Sequence, residues 1–260
     1  MTAPRGVWFY LAYIGTGLMA GLLSGLFGVG GGTIIVPMLM LTLQFNQRLA
    51  AGTSLAAIMP SATVGMIVYG ANGSVAWLAA VILAVGAVGG AQLGTWLLPR
   101  VSLTALRWGF IGFLAVVIVS LFLVVPSRQD DFVYTPVIIG GLVLLGIITG
   151  VLAGLLGIGG GVLIVPVLVL LFGTSDLVAK GTSLLVLIPT TISGTIGNAR
   201  RKNVDLPAAV TIGLAACTTT ALGAWIATLI DPLTGNILFA AFLTVLGVQM
   251  LLRATRRRRG

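Results

Sequence analysis

Residues 21–37 read GLLSGLFGVGGGTIIVP, and residues 150–166 read GVLAGLLGIGGGVLIVP. Eleven of these seventeen paired positions are identical, at an offset of 129 residues. The offset holds without a gap well past the motif. Gly52-Thr53-Ser54-Leu55 pairs with Gly181-Thr182-Ser183-Leu184, and Pro60 with Pro189. Further on, Gly65 pairs with Gly194, and Leu93-Gly94 and Trp96 pair with Leu222-Gly223 and Trp225. Constant spacing of this kind marks a duplicated unit, here residues 1–127 and 128–260, and in an apolar chain it points to a transporter.

Composition fixes the class. Residues are 58% hydrophobic and 7% charged, and mean hydropathy is +1.16, far too apolar to cover a water-facing surface. The apolar runs are continuous and long enough to cross a hydrocarbon core of about 30 Å, so an all-α polytopic membrane protein is expected and a β-barrel is not. The run from about Gly6 to Phe27 leads straight into the motif and reads as a retained helix, not as a cleaved signal.

The missing residues narrow the chemistry. The chain has no His and no Glu, and its five acidic residues are Asp130, Asp131, Asp176, Asp205 and Asp231, each near the end of an apolar run. His/Cys metal sites, Ser-His-Asp triads and a buried carboxylate or His proton relay therefore have no candidates. No metal, cofactor or catalytic residue is expected. The single Cys217 allows no intramolecular disulfide and reads as a small packing residue.

Each half holds five apolar segments: 7–27, 33–45, 50–70, 75–97 and 106–125, then 135–156, 162–172, 180–198, 206–229 and 236–252. The second of each five is short. If all ten cross with the N-terminus inside, twelve of the fourteen basic residues are cytoplasmic and only Arg128 and Lys180 are external. If the short segments are re-entrant, Arg48, Arg100, Arg107 and Lys180 are external, and the split weakens to ten against four. The positive-inside rule favours the first arrangement, which puts both termini in the cytoplasm. An odd number of crossings per half gives inverted repeats, the architecture in which exchanging the two halves' conformations alternates access. Trp8, Trp77, Trp96 and Trp108 lie near segment ends and read as interfacial anchors.

The candidate site is the glycine cluster. Gly28, Gly30, Gly31 and Gly32 recur as Gly157, Gly159, Gly160 and Gly161. Such a cluster does not hold a regular helix, and the freed backbone groups are tolerable in lipid only inside protein or beside a cavity. The apolar stretch after it starts a new helix whose free N–H groups and positive dipole end point back at the turn, an anion-binding arrangement. The rival reading is that these glycines, with Gly21, Gly25, Gly150 and Gly154, simply let helices pack closely. The cluster is not a phosphate loop, because neither the GxGxxG spacing nor the GK[ST] order is present.

Thr53 and Ser54, with Thr182 and Ser183, open helices after short polar loops. Capping and donation to an oxyanion are both open to them. Lys180 precedes the second copy where Ala51 precedes the first. A loop charge is its plainer reading, and a positive charge beside a substrate is the sharper one. Pro37, Pro60, Pro166 and Pro189 kink or interrupt helices. Tyr69, Gln92 and Asn198 are weaker candidates for lining a pathway. The four arginines at 256–259 read as a topogenic signal and a contact for anionic lipid. The partners expected are therefore a small anion and membrane lipid, with no nucleic acid and with self-association left open.

The repeated G-x-x-x-G-L-x-G-x-G-G-G-x-x-I-V-P, followed by G-T-S-L and a later Pro, resembles the sulfite exporter TauE/SafE family, also called the 4-toluene sulfonate uptake permease group. The resemblance runs from about residue 8 to 252. It implies an inner-membrane transporter of sulfur-containing anions such as sulfite or organosulfonates, with about seven to nine spans, fewer than the ten counted above. Export is the expected direction, since an inside-negative potential drives anions out by about 2.3 kcal/mol per charge per 100 mV. An anion channel or a non-transporting assembly subunit is the alternative.

Overall fold

The computed structural model describes residues 7–102 and 135–256, and between them residues 104, 105, 108, 109, 111, 112, 115, 116, 118 and 119. The segment expected over 106–125, Arg128, and residues 257–259 of the basic tail fall largely or wholly outside the described residues. Among those described there is no strand, and every regular element is a helix.

The first half contributes α1 (Val7–Phe27), α2 (Gly32–Thr42), α3 (Gln47–Ala71) and α4 (Trp77–Leu97). The second contributes α5 (Pro136–Leu156), α6 (Gly161–Phe172), α7 (Asp176–Ala199), α8 (Leu206–Leu229) and α9 (Pro232–Arg256). Six of these, α1, α3, α4, α5, α7 and α8, are long and apolar enough to cross a membrane. The short helices are a different matter. At about 1.5 Å per residue, α2 with 11 residues and α6 with 12 reach only about half of a 30 Å core.

Local chemistry sets these boundaries. Asn46 caps α3 by accepting from the Leu49 N–H at 2.9 Å. Asp205 caps α8, accepting from the Ala208 N–H at 3.2 Å, and Thr135 and Ser175 cap α5 and α7 in the same way. Pro136 and Pro207 stand in the first turns of α5 and α8, where the missing N–H has no helical partner to lose.

Glycine register fixes the direction of the main helix pairs. A Cβ on Gly17, Gly21 or Gly25 of α1 would land on the carbonyl oxygens of Ile212, Ala216 and Thr220 of α8. Both series ascend together, so α1 and α8 run parallel. Likewise Gly86, Gly90 and Gly94 of α4 lie on the carbonyls of Val143, Ile147 and Val151 of α5. These backbones touch because small residues line both seams, which is how helices gain van der Waals contact in a medium that offers no hydrophobic drive between them. In α3 and α7 the order reverses, with Gly65 against Leu184 and Gly194 against Leu55. That pair is antiparallel.

Gly52 lies against the Asn203 carbonyl, Gly213 against Ala57 and Gly65 against Thr220, so α3 also runs parallel to α8 and therefore to α1. Two successive long helices that point the same way need a return between them, and the glycine turn with α2 makes it. The re-entrant alternative, in which α3 would oppose α1, does not fit these contacts. The helix pairings repeat 129 residues on with the two halves exchanged: α1 packs on α8 as α5 packs on α4, and α3 and α7 cross each other. The buried core fills in around this crossing with Ile34, Ile35, Leu39, Ile58, Val162, Leu184 and Leu187.

Candidate functional site

At the crossing, both glycine clusters leave the helical region. Gly28, Gly30 and Gly31 have φ of 69°, 79° and 74°, and Gly157, Gly159 and Gly160 have 75°, 85° and 92°. This left-handed conformation is close to free for glycine and costs other residues about 1–2 kcal/mol. Gly31 and Gly160 serve as N-caps of α2 and α6 with no side-chain cap, so the first amide groups of both short helices receive no acceptor from a capping side chain.

The two turns touch each other. A Cβ on Gly32 would meet the backbone of Gly157 and Ile158, and one on Gly161 would meet Gly28 and Val29. Gly30 and Gly159 share a wall, since both lie against Ile58 of α3 and Leu187 of α7. All eight cluster glycines are thus brought into one buried neighbourhood. The two roles open to glycine separate here by position: Gly21, Gly25, Gly150 and Gly154 pack helices, whereas the clusters reverse the chain.

The Gly-Thr-Ser motifs join the halves. The Ser54 hydroxyl donates to the Gly157 carbonyl at 2.8 Å, and the Ser183 hydroxyl donates to the Gly28 carbonyl at 2.9 Å. Thr53 Oγ1 accepts from the Asp205 N–H at 3.0 Å, and Thr182 Oγ1 accepts from the Ala76 N–H at 2.9 Å. Gly52 and Gly181 admit the Asn203 and Ser74 carbonyls. Every bond crosses between repeats, and every one has its counterpart at the 129-residue offset. The serine hydroxyls position the glycine turns, and the threonine hydroxyls tie in the starts of α8 and α4. Gln92 binds elsewhere, to Ser193 across the α4–α7 seam.

Lys180 departs from its plainer reading as a loop charge. It lies one turn into α7, 8% exposed, with its Cα against Gly28 and its Nζ 3.2 Å from Asp176 Oδ2. Burial of a charge is tolerable because the partner sits at i−4 on the same helix face. Ala51 takes the equivalent place against Gly157, so the site carries one cation on one side only.

Gln47, the counterpart of Asp176, lies one turn before Ala51 at the start of α3, although no motif marks it. It is 3% exposed, and neither atom of its amide has a hydrogen-bond partner. The signal that finds it is the constant offset, which pairs Gln47 with Asp176 directly. The Tyr69 hydroxyl donates to the Gly25 carbonyl at 2.8 Å, holding the last turn of α1, while its counterpart Asn198 bonds within α7.

What this geometry offers a ligand is two helix N-termini, backbone amides that glycine leaves uncovered, and one buried lysine. Among the described residues there is no cluster of His, Cys, Asp or Glu that could hold a metal ion.

Comparisons with known proteins place the chain among membrane transporters. A "Probable membrane transporter protein" of Xylella fastidiosa (strain 9a5c) is 32% identical over 221 residues, which is 83% of this chain and 84% of the relative. YunE of Bacillus subtilis (strain 168), also described as a probable membrane transporter protein, is 28% identical over 206 residues, 70% of this chain and 75% of that one. MJ0441 of Methanocaldococcus jannaschii, with the same description, is 24% identical over 251 residues, 91% and 93% of the two chains. No solved structure gives a significant match. The family described as "Sulfite exporter TauE/SafE" matches residues 2–121 and 142–260. A multi-pass membrane protein built on this doubled glycine motif, and matched over both halves, belongs to the sulfite exporter TauE/SafE family of membrane transporters.

Proposed function

We propose that this membrane transporter carries small sulfur-containing anions, such as sulfite or organosulfonates, by alternating access between two inverted repeats. The observation that carries the reading is the meeting of the two glycine turns, where the N-termini of α2 and α6 approach one buried neighbourhood beside Lys180. Oriented amides and positive helix ends favour an anion, and their low-dielectric setting strengthens the attraction. Gly28, Gly30, Gly31 and Gly32, with Gly157, Gly159, Gly160 and Gly161, would present backbone to the substrate. Ser54 and Ser183 would hold those turns in register, Thr53 and Thr182 would tie in the starts of α8 and α4 beside them, and Lys180 would supply the charge.

The antiparallel α3–α7 pair supports the inverted relation, because a two-fold axis that reverses a spanning helix lies in the membrane plane. Basic residues concentrate on the face where α1 begins and α3 begins, which favours a cytoplasmic N-terminus in a cell membrane. An inside-negative potential then favours export, and neither a cofactor nor catalysis enters the scheme.

The test is flux in proteoliposomes loaded with sulfite or an organosulfonate under an imposed potential. Saturable, potential-driven efflux that falls in Gly31→Leu and Gly160→Leu proteins of normal elution profile is expected. Absence of flux for every anion tried, or flux indifferent to both substitutions, rejects the reading. Conductance far above alternating-access rates would make the protein a channel.

A further inference from the structure

Away from the glycine turns, an open groove of about 400 Å³ lies on the outer face of α4, lined by Gly89, Gln92, Leu93, Trp96 and Arg201. Its walls are membrane-facing, since Leu93 is 51% and Trp96 48% exposed, and its floor exists because Gly89 has no side chain and nothing stands within 4 Å of where one would begin. One end is polar. Arg201 Nη1 donates to the Gly197 carbonyl at 2.7 Å and lies 3.5 Å from Thr95 Oγ1. Arg100 stacks over the Trp96 ring, 3.6 Å from its centre, and donates to the Trp96 carbonyl at 2.7 Å. Arg48 reaches the carbonyls of Pro99 and Val101 at 3.2 Å.

Three guanidinium groups from three chain segments therefore gather at one end of α4. They share one membrane face, because α3 begins, α4 ends and α7 ends there. The acidic side chain nearest in sequence, Asp205, is engaged in capping α8.

The duplication supplies an internal control. Leu93 and Trp96 recur as Leu222 and Trp225, 49% and 57% exposed, as any lipid-facing positions could. The rest of the lining does not recur. At the same offset Gly89 becomes Thr218, Gln92 becomes Ala221, Arg100 becomes Leu229 and Arg201 becomes Asn72. The cleft and its cations, drawn from α4 of one half and the end of α7 of the other, have no copy at the symmetry-related position, and so face one leaflet.

We propose that this groove is a binding site for an anionic phospholipid. The headgroup phosphate is held by Arg201 and Arg100, and the first part of an acyl chain lies over Gly89 between Leu93 and the α4–α7 seam. Charge complementarity selects the occupant. A phosphate diester at the interface meets two guanidinium groups suited to its oxygens, an indole sits at headgroup depth, and the remaining surface is apolar. A soluble anion would leave the apolar walls unused.

The test uses the full chain, delipidated in detergent, with phosphatidylglycerol or phosphatidylcholine added. Bound lipid is counted by native mass spectrometry and stability is followed by thermal unfolding. Phosphatidylglycerol is expected to be retained and to raise Tm over phosphatidylcholine. Arg201→Gln and Arg100→Gln are expected each to weaken that retention by about fivefold. Gly89→Leu, which fills the groove without altering charge, is expected to weaken it as well, and Arg200→Gln, an exposed neighbour outside the groove, to leave it unchanged. Unfolding without added lipid reports whether each variant is intact. Equal retention of both lipids overturns the proposal. So does an Arg200→Gln loss as large as that of Arg201→Gln, retention unaffected by Gly89→Leu, or displacement by glycerol phosphate at the concentration where the lipid binds. None of these outcomes bears on transport, which is assayed separately.

Discussion

The Ser54 hydroxyl of one repeat donates to the Gly157 carbonyl of the other, and 129 residues on the Ser183 hydroxyl returns the bond to Gly28. Two buried hydroxyls thus fix the position of each glycine turn from the opposite half of the molecule. A change in the relative placement of α3 and α7 would be transmitted to both turns at once, which gives a duplicated fold a direct way to couple its halves.

Ser54→Ala and Ser183→Ala each leave a buried carbonyl without this donor, at a cost of about 1–3 kcal/mol. Each variant is expected to unfold at lower temperature than the parent in the same detergent, and the double variant to be lower still. Thr63 supplies the comparison, because its hydroxyl bonds within its own helix: Thr63→Ala is expected to shift Tm little. Equal Tm across the parent and all of these variants would show that the cross-repeat bonds hold nothing.

Gly160 sits at φ 92° as the N-cap of α6, a conformation that costs a residue with a Cβ about 1–2 kcal/mol. Gly15, in the interior of α1, has open space around it. Gly160→Ala is expected to reduce anion flux and thermal stability, whereas Gly15→Ala leaves both near the parent values. Should the two behave alike in proteoliposome flux, the left-handed turn is not what the transport step depends on.

Much of this was legible because the sequence is doubled. The helical class and the break at each cluster followed from composition and glycine. The role of Thr53 and Thr182 was not legible, because their partners are backbone N–H groups of Asp205 and Ala76. A backbone donor leaves no mark in residue type. The seating of Lys180 was half legible: Asp176 stands four residues earlier, the spacing of a helical ion pair. Its burial against Gly28 depends on a contact with the other repeat, which no local pattern encodes.

The Lys180–Asp176 pair, 3.2 Å apart with side chains 10% and 7% exposed, separates stability from binding. Removing one partner strands a buried charge, at a cost of about 3–5 kcal/mol. Lys180→Met and Asp176→Asn are each expected to lower Tm. Combining them removes both charges and is expected to recover much of the loss. Anion-dependent stabilisation, measured as the Tm rise with added sulfite, is expected to stay absent in the double variant. Recovery of that rise together with Tm would mean that Lys180 serves the fold alone.

The direction of α3 is open to chemical labelling. Cys217 is the chain's one cysteine, so a Cys217→Ser background allows single thiols to be placed at will. Parallel α1 and α3 put the end of α2 and the end of α7 on one membrane face, and the end of α3 on the other. Thr42→Cys and Arg200→Cys are therefore expected to react with an impermeant maleimide from the same side of sealed vesicles, and Asn72→Cys from the opposite side. A re-entrant α2 reverses α3, which places Thr42 on one side and Asn72 with Arg200 on the other. Because the two arrangements differ in the partner of Arg200, one labelling series decides between them.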